Sequence, residues 1–193
     1  MMKSLYRSLV MTVLLLIILC GIYPAIVTGL GQALFRDKAD GSLVERGGAP
    51  VGSLLIAQSF TKPEYFHPRP SAAGDKGYDP QSSNGSNLGP TNKKLFDRIA
   101  GDVSKIRQEN PDMGNQPVPT ELVTTSASGL DPHISPEAAR YQAARVAKAR
   151  GMALADVQSL IAQHTEGPQL GFLGSSLVNV LELNLALDAA KTR

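Results

Sequence analysis

Apolar and polar positions divide this chain unevenly. From Ser8 to Phe35, twenty-eight consecutive residues carry no charge and most are apolar, whereas a membrane-spanning helix needs roughly 20. Beyond that run the hydrophobic positions come in short periodic pieces. Ser53 to Phe60 contains Leu54, Leu55, Ile56 and Ala57, an apolar run suited to a buried strand. Thr91 to Asn110 sets Leu95, Ile99, Val103 and Ile106 on one helical face, with Asn110-Pro111 as its end. Val118 to Thr125, with Val118, Leu122, Val123 and several threonines, predicts a second strand. Ser135-Pro136 is a helix start, because serine caps free amides and proline at the first helical position gives up a bond that would not form. That helix runs to Arg150 and stops at Gly151, with Arg145, Lys148 and Arg150 near the negative end of its dipole. Leu154, Val157, Leu160 and Ile161 mark another amphipathic helix. Val180 to Leu187 has apolar residues at nearly every second position, as a strand would, but its Leu, Glu and Ala favour a helix ending near residue 193.

The long apolar run reads as a retained anchor. A cleaved signal peptide has an apolar core of about 7–15 residues and a small-x-small site, and this run continues past Pro24 to Leu34 and Phe35. A lipoprotein site at Cys20 is disfavoured by Leu19 before it, where a small residue is expected. Lys3 and Arg7 precede the run and Arg36, Asp37 and Lys38 follow it, so the positive-inside tendency places the amino terminus in the cytoplasm. The expected organisation is a cytoplasmic terminus at 1–7, a transmembrane helix at 8–35, a juxtamembrane connection at 36–51 and an extracytoplasmic domain at 52–193. Pro24 is expected to disturb the helix, since it removes one donor and crowds the preceding turn. Gly21, Ala25, Gly29 and Ala33 recur every fourth position, a stripe that would let another helix approach closely.

Composition narrows the domain's character. Beyond residue 35 there are 17 Lys plus Arg against 17 Asp plus Glu, the net +2 coming from Lys3 and Arg7; a nucleic-acid partner would normally require a basic excess. The one cysteine, Cys20, lies in the apolar run, so the domain must be held by its core rather than by disulfides. Thr61 to Asn92 is dense in Pro, Gly, Ser and Asn, yet Tyr65, Phe66 and Tyr78 are interleaved. Aromatic residues bring large areas to bury, so this stretch is expected to be an ordered loop packed on an α+β domain.

Familiar catalytic patterns are not formed. His67, His133 and His164 are widely spaced, and although Asp131 and Glu166 lie two residues from a histidine, no local His-x-x-x-His or cysteine pair supports zinc. No serine sits in a Gly-x-Ser-x-Gly elbow. The Ser83 to Gly89 run lacks the Gly-Lys-Ser/Thr ending of a phosphate loop and reads as a turn.

Five separated runs nevertheless carry a resemblance: Gly52 to Gln58, Tyr65 to Ser71, Gly85 to Asn92, Ser126 to Pro136 and Asn179 to Asp188. In these the chain resembles KdpC, the C chain of the bacterial potassium-transporting Kdp P-type ATPase, in the family's order and over the whole length. The resemblance implies a non-catalytic subunit in the cell inner membrane. It would accompany a channel-like potassium-selecting subunit, a P-type ATPase subunit and a small single-span subunit. It also implies a role as a catalytic chaperone raising the ATPase subunit's affinity for ATP, with ATP reached through that subunit rather than held as a cofactor here. A glutamine is implicated in that role, and Gln142 is the nearest match. Direct contact conflicts with the outward topology, so the alternatives are indirect transmission, an inverted topology, or a glutamine that merely packs within its own helix. Tyr65, Phe66, His67, Arg69, Ser86, Asn87 and Asn92 are candidate docking residues, with packing beneath the long loop as the other reading. A membrane-anchored envelope enzyme or a ligand-binding module is the alternative function.

Overall fold

The computed structural model describes residues 2–191. Two compact units divide between Val51 and Gly52. In the first, α1 (Met2–Leu16), a π-helical segment (Ile17–Ile22) and α2 (Tyr23–Leu34) form one helix long and apolar enough to cross a membrane. Pro24 does not break it. Proline has no amide hydrogen to give to the turn below, and the helix widens just before it, Tyr23 N–H reaching back to Ile18 O. Such π-type turns let a helix absorb a local defect without ending. Gly21 falls inside the widened segment, while Ala25, Gly29 and Ala33 stay on regular α2. A short helix α3 (Arg36–Ala39) and the two-stranded pairing of β1 (Leu43–Arg46) with β2 (Ala49–Ser53) follow.

The second unit is the mixed α/β domain that the pattern predicts. Its helices are α4 (Lys93–Glu109), α5 (Pro136–Arg150), α6 (Leu154–Gln163) and α7 (Val180–Lys191). A small antiparallel sheet orders β3 (His133–Ile134), β5 (Leu177–Asn179) and β4 (Thr165–Glu166) with β5 central. Ile134 pairs with Val178, and Thr165 pairs with Val178 from the other side. The core gathers Phe66, Ile134, Val146, Val157, Ile161, Val178, Leu183 and Leu187 between the sheet and helices α5 to α7. Helix α5 lies at its centre, and Ala138, Ala139, Ala143 and Ala147 allow neighbours to come close on several sides. Its ends follow the predicted chemistry: Ser135 Oγ accepts from Ala138 N–H at 3.1 Å, and Gly151 closes the helix in the left-handed region. Helix α4 begins likewise on Asn92, whose side chain accepts from Lys94 N–H.

Two predicted strands do not form. Ser53 to Phe60 leaves β2 at Ser53 and enters a turn, because Ser53 Oγ accepts from Leu55 N–H and Asn179 Nδ2 donates to Leu54 O. A serine hydroxyl competes with a sheet ladder for nearby backbone groups. Val118 to Thr125 instead contains a 3-10 turn, Thr120–Leu122, preceded by Pro119. Prolines supply no ladder donor, and Thr124 Oγ1 bonds back to Thr120 O. Leu122 and Val123 still reach the interior. The ambiguity at 178–188 resolves into both structures: a short strand, then a helix whose Glu182 N–H is capped by Asn179 Oδ1 at 3.2 Å.

The proline- and glycine-rich stretch is ordered as predicted, and it is anchored to the segment before β3. Ser71 Oγ donates to Gly129 O at 2.6 Å and accepts from Tyr78 N–H, and Asn84 N–H donates to Ser128 O. Gly129 is required at this crossing. Its φ is +67°, and a Cβ there would stand 2.6 Å from Asn84 O.

Candidate functional site

Lys62 to His67 is a strap that begins in a turn, Tyr65 N–H donating to Lys62 O at 3.1 Å, with Pro63 inside it and Pro68 after it, and it belongs to no helix or sheet. Buried backbone groups must still find partners. Here side chains of α5 and α7 provide them. Arg145 Nη1 donates to Pro63 O at 2.6 Å and Tyr65 O at 3.0 Å. Arg150 Nε donates to Glu64 O at 2.6 Å. Two carboxamides then treat adjacent residues alike. Asn184 accepts from Phe66 N–H at 2.8 Å and donates to Phe66 O at 3.0 Å. Gln142 accepts from His67 N–H at 2.8 Å and donates to His67 O at 3.1 Å. Each amide imitates a neighbouring strand, so a lone segment is bonded as if it lay in a sheet.

Gln142 is almost completely enclosed, at 1% exposure. Its oxygen also accepts from Arg145 Nη2 at 2.8 Å, and its nitrogen reaches Ala138 O at 3.4 Å. A carboxamide offers two donors and an acceptor with two lone pairs. All four positions are therefore occupied within the domain. Arg145 is fixed in turn by Asn110 Oδ1 at 3.2 Å, and burial pulls its pKa below the ordinary value, Glu109 opposing. Arg150 stacks over the Tyr65 ring at 4.8 Å and donates to Asp188 Oδ1 at 2.9 Å, with Tyr65 OH reaching Asp188 Oδ2.

His67 looks into a cleft of about 230 Å³ lined by Phe60, Tyr78, Asp102, Lys105 and Glu109. Its Nε2 lies 3.1 Å from Lys62 O, and a carbonyl only accepts, so the proton sits on Nε2. Nδ1 then has no hydrogen for Glu109 Oε2, 3.4 Å away, and that oxygen has no hydrogen-bond partner among the described residues. Burial and the Arg145 charge lower the imidazole pKa, against the pull of Glu109, which keeps the ring neutral near pH 7. Burial also raises the Tyr78 phenol to about 12, so it stays a donor, to Arg69 O at 2.9 Å. Beyond the strap, after Pro68, Arg69 pairs with Asp131 at 3.0 Å. The hydrogen bond from His133, with Arg69 adding, holds the Asp131 carboxyl below the usual range.

The candidate docking residues thus separate. Phe66 is fully buried, and Tyr65, His67 and Arg69 are half-buried and bonded inward. Ser86 is half-buried; Asn87 and Asn92 are exposed, the one with φ +50° and bonded to Asn84, the other capping α4. Gly21 and Gly29 have open space where a side chain would stand. Three clamp residues were not among the sequence candidates. Asn184 sits in a Leu-Asn-Leu run, where a lone polar residue among core positions is the signal of a specific buried bond. Arg145 and Arg150, expected to complement the α5 dipole, are instead 8% exposed each and turned onto the strap; Glu137, Arg140 and Lys148 of the same helix face water, so no local pattern marked which of its arginines would be enclosed. Among the described residues no group of three or more His, Cys, Asp or Glu could hold a metal ion.

Comparison with known proteins covers the apolar helix and the clamp together. The family model described as "K+-transporting ATPase, c chain" matches residues 5–189. The chain is 51% identical to the potassium-transporting ATPase KdpC subunit of Koribacter versatilis, over 99% of this chain and 97% of that one. It is 53% identical to the KdpC subunit of Nitratidesulfovibrio vulgaris, over 98% and 95%, and 56% identical to that of Myxococcus xanthus, over 97% and 89%. A match that runs from the apolar helix through the strap to α7 leaves one assignment: the chain belongs to the KdpC family.

Proposed function

We propose that this chain is an accessory subunit of an ATP-driven potassium uptake complex, held in the cell inner membrane by its N-terminal helix and without an active site of its own. The observation that carries the reading is the family match across residues 5–189. The domain would lie outside the membrane, since Lys3 and Arg7 are the charges on the short amino-terminal side. Its partners would be the channel-like, ATPase and small single-span subunits. Gly21, Ala25, Gly29 and Ala33 would face one of them, with open space at both glycines for a neighbouring helix.

Support for the ATPase subunit, including a raised affinity for ATP, would then be indirect. Gln142 supports this route because its four hydrogen-bonding positions already hold the strap and Arg145. A nucleotide could reach it only if those bonds were broken. Gln142 acts on the partner by fixing the strap. Two measurements test the reading. A cysteine replacing exposed Lys148, in a chain with Cys20→Ser, should be labelled by an impermeant thiol reagent added outside intact cells; labelling from the cytoplasmic side alone would overturn the topology. Deleting residues 52–193 should abolish potassium-stimulated ATP hydrolysis by the complex, and unchanged coupling would refute a supporting role for the domain.

A further inference from the structure

The two most exposed large apolar side chains of the domain among the described residues, Leu170 and Phe172, lie together where the core has no use for them. Between β4 and β5, ten consecutive residues from Gly167 to Ser176 carry no charge. Leu170 is 83% exposed, Phe172 74% and Leu173 50%. This is a built tip rather than a slack loop. Gln169 and Leu173 form an antiparallel bridge, each amide bonded to the other's carbonyl at 2.9 Å. Inside it, Gly171 N–H donates to Pro168 O and Phe172 N–H to Gln169 O. Leu170 adopts φ +54° and Gly171 +83°, and a left-handed leucine is uncommon because its side chain crowds the backbone. Strain of this kind persists where surrounding bonds enforce it, often at ligand-contacting segments. Clustered large apolar groups in water otherwise favour aggregation, and their presence marks a contact surface.

Charge decides what covers it. From Gly151 to Ala190 there is no lysine or arginine, and the charged residue that adjoins the tip along the chain is Glu166. Glu166 is exposed at the root of the tip. A lipid surface with anionic headgroups recruits apolar tips through flanking basic residues, and this region offers the opposite sign. A protein pocket with an apolar floor and a neutral or basic rim fits both the tip and its acidic root. The bonded hairpin also has little freedom left to lose on docking.

We propose that the hairpin tip Leu170-Gly171-Phe172, with Leu173 at its base, plugs into an apolar, basic-rimmed pocket on a neighbouring protein subunit of the transport complex. This rests on the subunit reading above. The full chain carrying Phe172→p-benzoylphenylalanine, assembled with its partner subunits in native membranes and irradiated, should give an adduct with a protein subunit. An adduct with lipid alone, or no adduct in an assembled complex, would overturn the plug. Leu170→Ser together with Phe172→Ser should leave the melting temperature of the chain unchanged, since neither side chain is in the core, yet lower its retention by the wild-type partners roughly tenfold or more. Undiminished retention would also overturn it. A wild-type chain that fails to co-purify with those partners would overturn the subunit reading as well, which separates the two failures.

Discussion

Gln142→Ala offers the sharpest test of the clamp. The substitution removes both bonds to His67, at 2.8 and 3.1 Å, and the acceptor for Arg145 Nη2. The His67 amide and carbonyl are left in a site too enclosed for water to replace a side chain that is 1% exposed. A buried group left without its partner costs about 1–3 kcal/mol, so two of them, with some relaxation of the strap, amount to roughly 2–5 kcal/mol. Against a typical domain stability of about 5–15 kcal/mol this is a large fraction, and thermal unfolding of the purified chain should show a melting temperature lowered by about 10 °C or more. The informative partner is Asn184→Ala, which orphans Phe66 in the same manner from a different helix. If the strap is what matters, both variants lose stability to a similar degree, and both alter the complex's apparent affinity for ATP to a similar degree. A Gln142→Ala variant that melts normally but weakens ATP binding, beside an Asn184→Ala variant that leaves ATP binding intact, would refute the clamp as the route.

Three further outcomes follow from the geometry. Gly129→Ala should destabilise the domain by about 2–4 kcal/mol, through its positive φ and the overlap with Asn84 O and Ala73 N; hydrogen exchange should show the loss first in residues 71–85. Ser135→Ala removes the cap on Ala138 N–H and should cost about 1 kcal/mol in denaturant unfolding. His67 makes stability depend on pH: its folded pKa is lowered from the ordinary 6.5, so the unfolded chain binds the proton more readily. The stability it contributes is complete above 6.5 and declines as pH falls through that value towards the folded one. The groups facing the ring are Arg145, Lys105 and Glu109, and in His67→Gln the slope of melting temperature against pH near 6.5 should flatten, while an unchanged slope would locate the titration elsewhere.

Much of this architecture was open to reading along the chain, because it rests on local chemistry. The N-terminal apolar helix depends only on a long uncharged run. The ends of α5 depend on Ser135, Pro136 and Gly151, and those of α4 on Asn92 and Asn110, residues that act on backbone groups a few positions away. The failures are of one kind: the backbone finds other partners than a ladder. Leu54 to Ala57 and Val118 to Thr125 have strand-like composition, but hydroxyls and prolines beside them and Asn179 from far along the chain redirect their backbone bonds.

The clamp lies at the other extreme. Gln142 and His67 are 75 residues apart, and Asn184 and Phe66 are 118. Nothing in the spacing of either pair foretells a meeting, since each carboxamide finds its segment only after α5 and α7 have packed. The sequence by itself determined the long apolar helix, the caps of α4 and α5, the ordered loop and the family. Only the tertiary structure decided that Arg145 and Arg150 turn inward, that Phe66 is buried while Tyr65 and His67 are half-buried, and that Leu170 and Phe172 are left outside. The physical reason is that capping and periodicity act within a few residues, whereas satisfying the polar groups of a lone buried strap requires partners brought from wherever the fold places them.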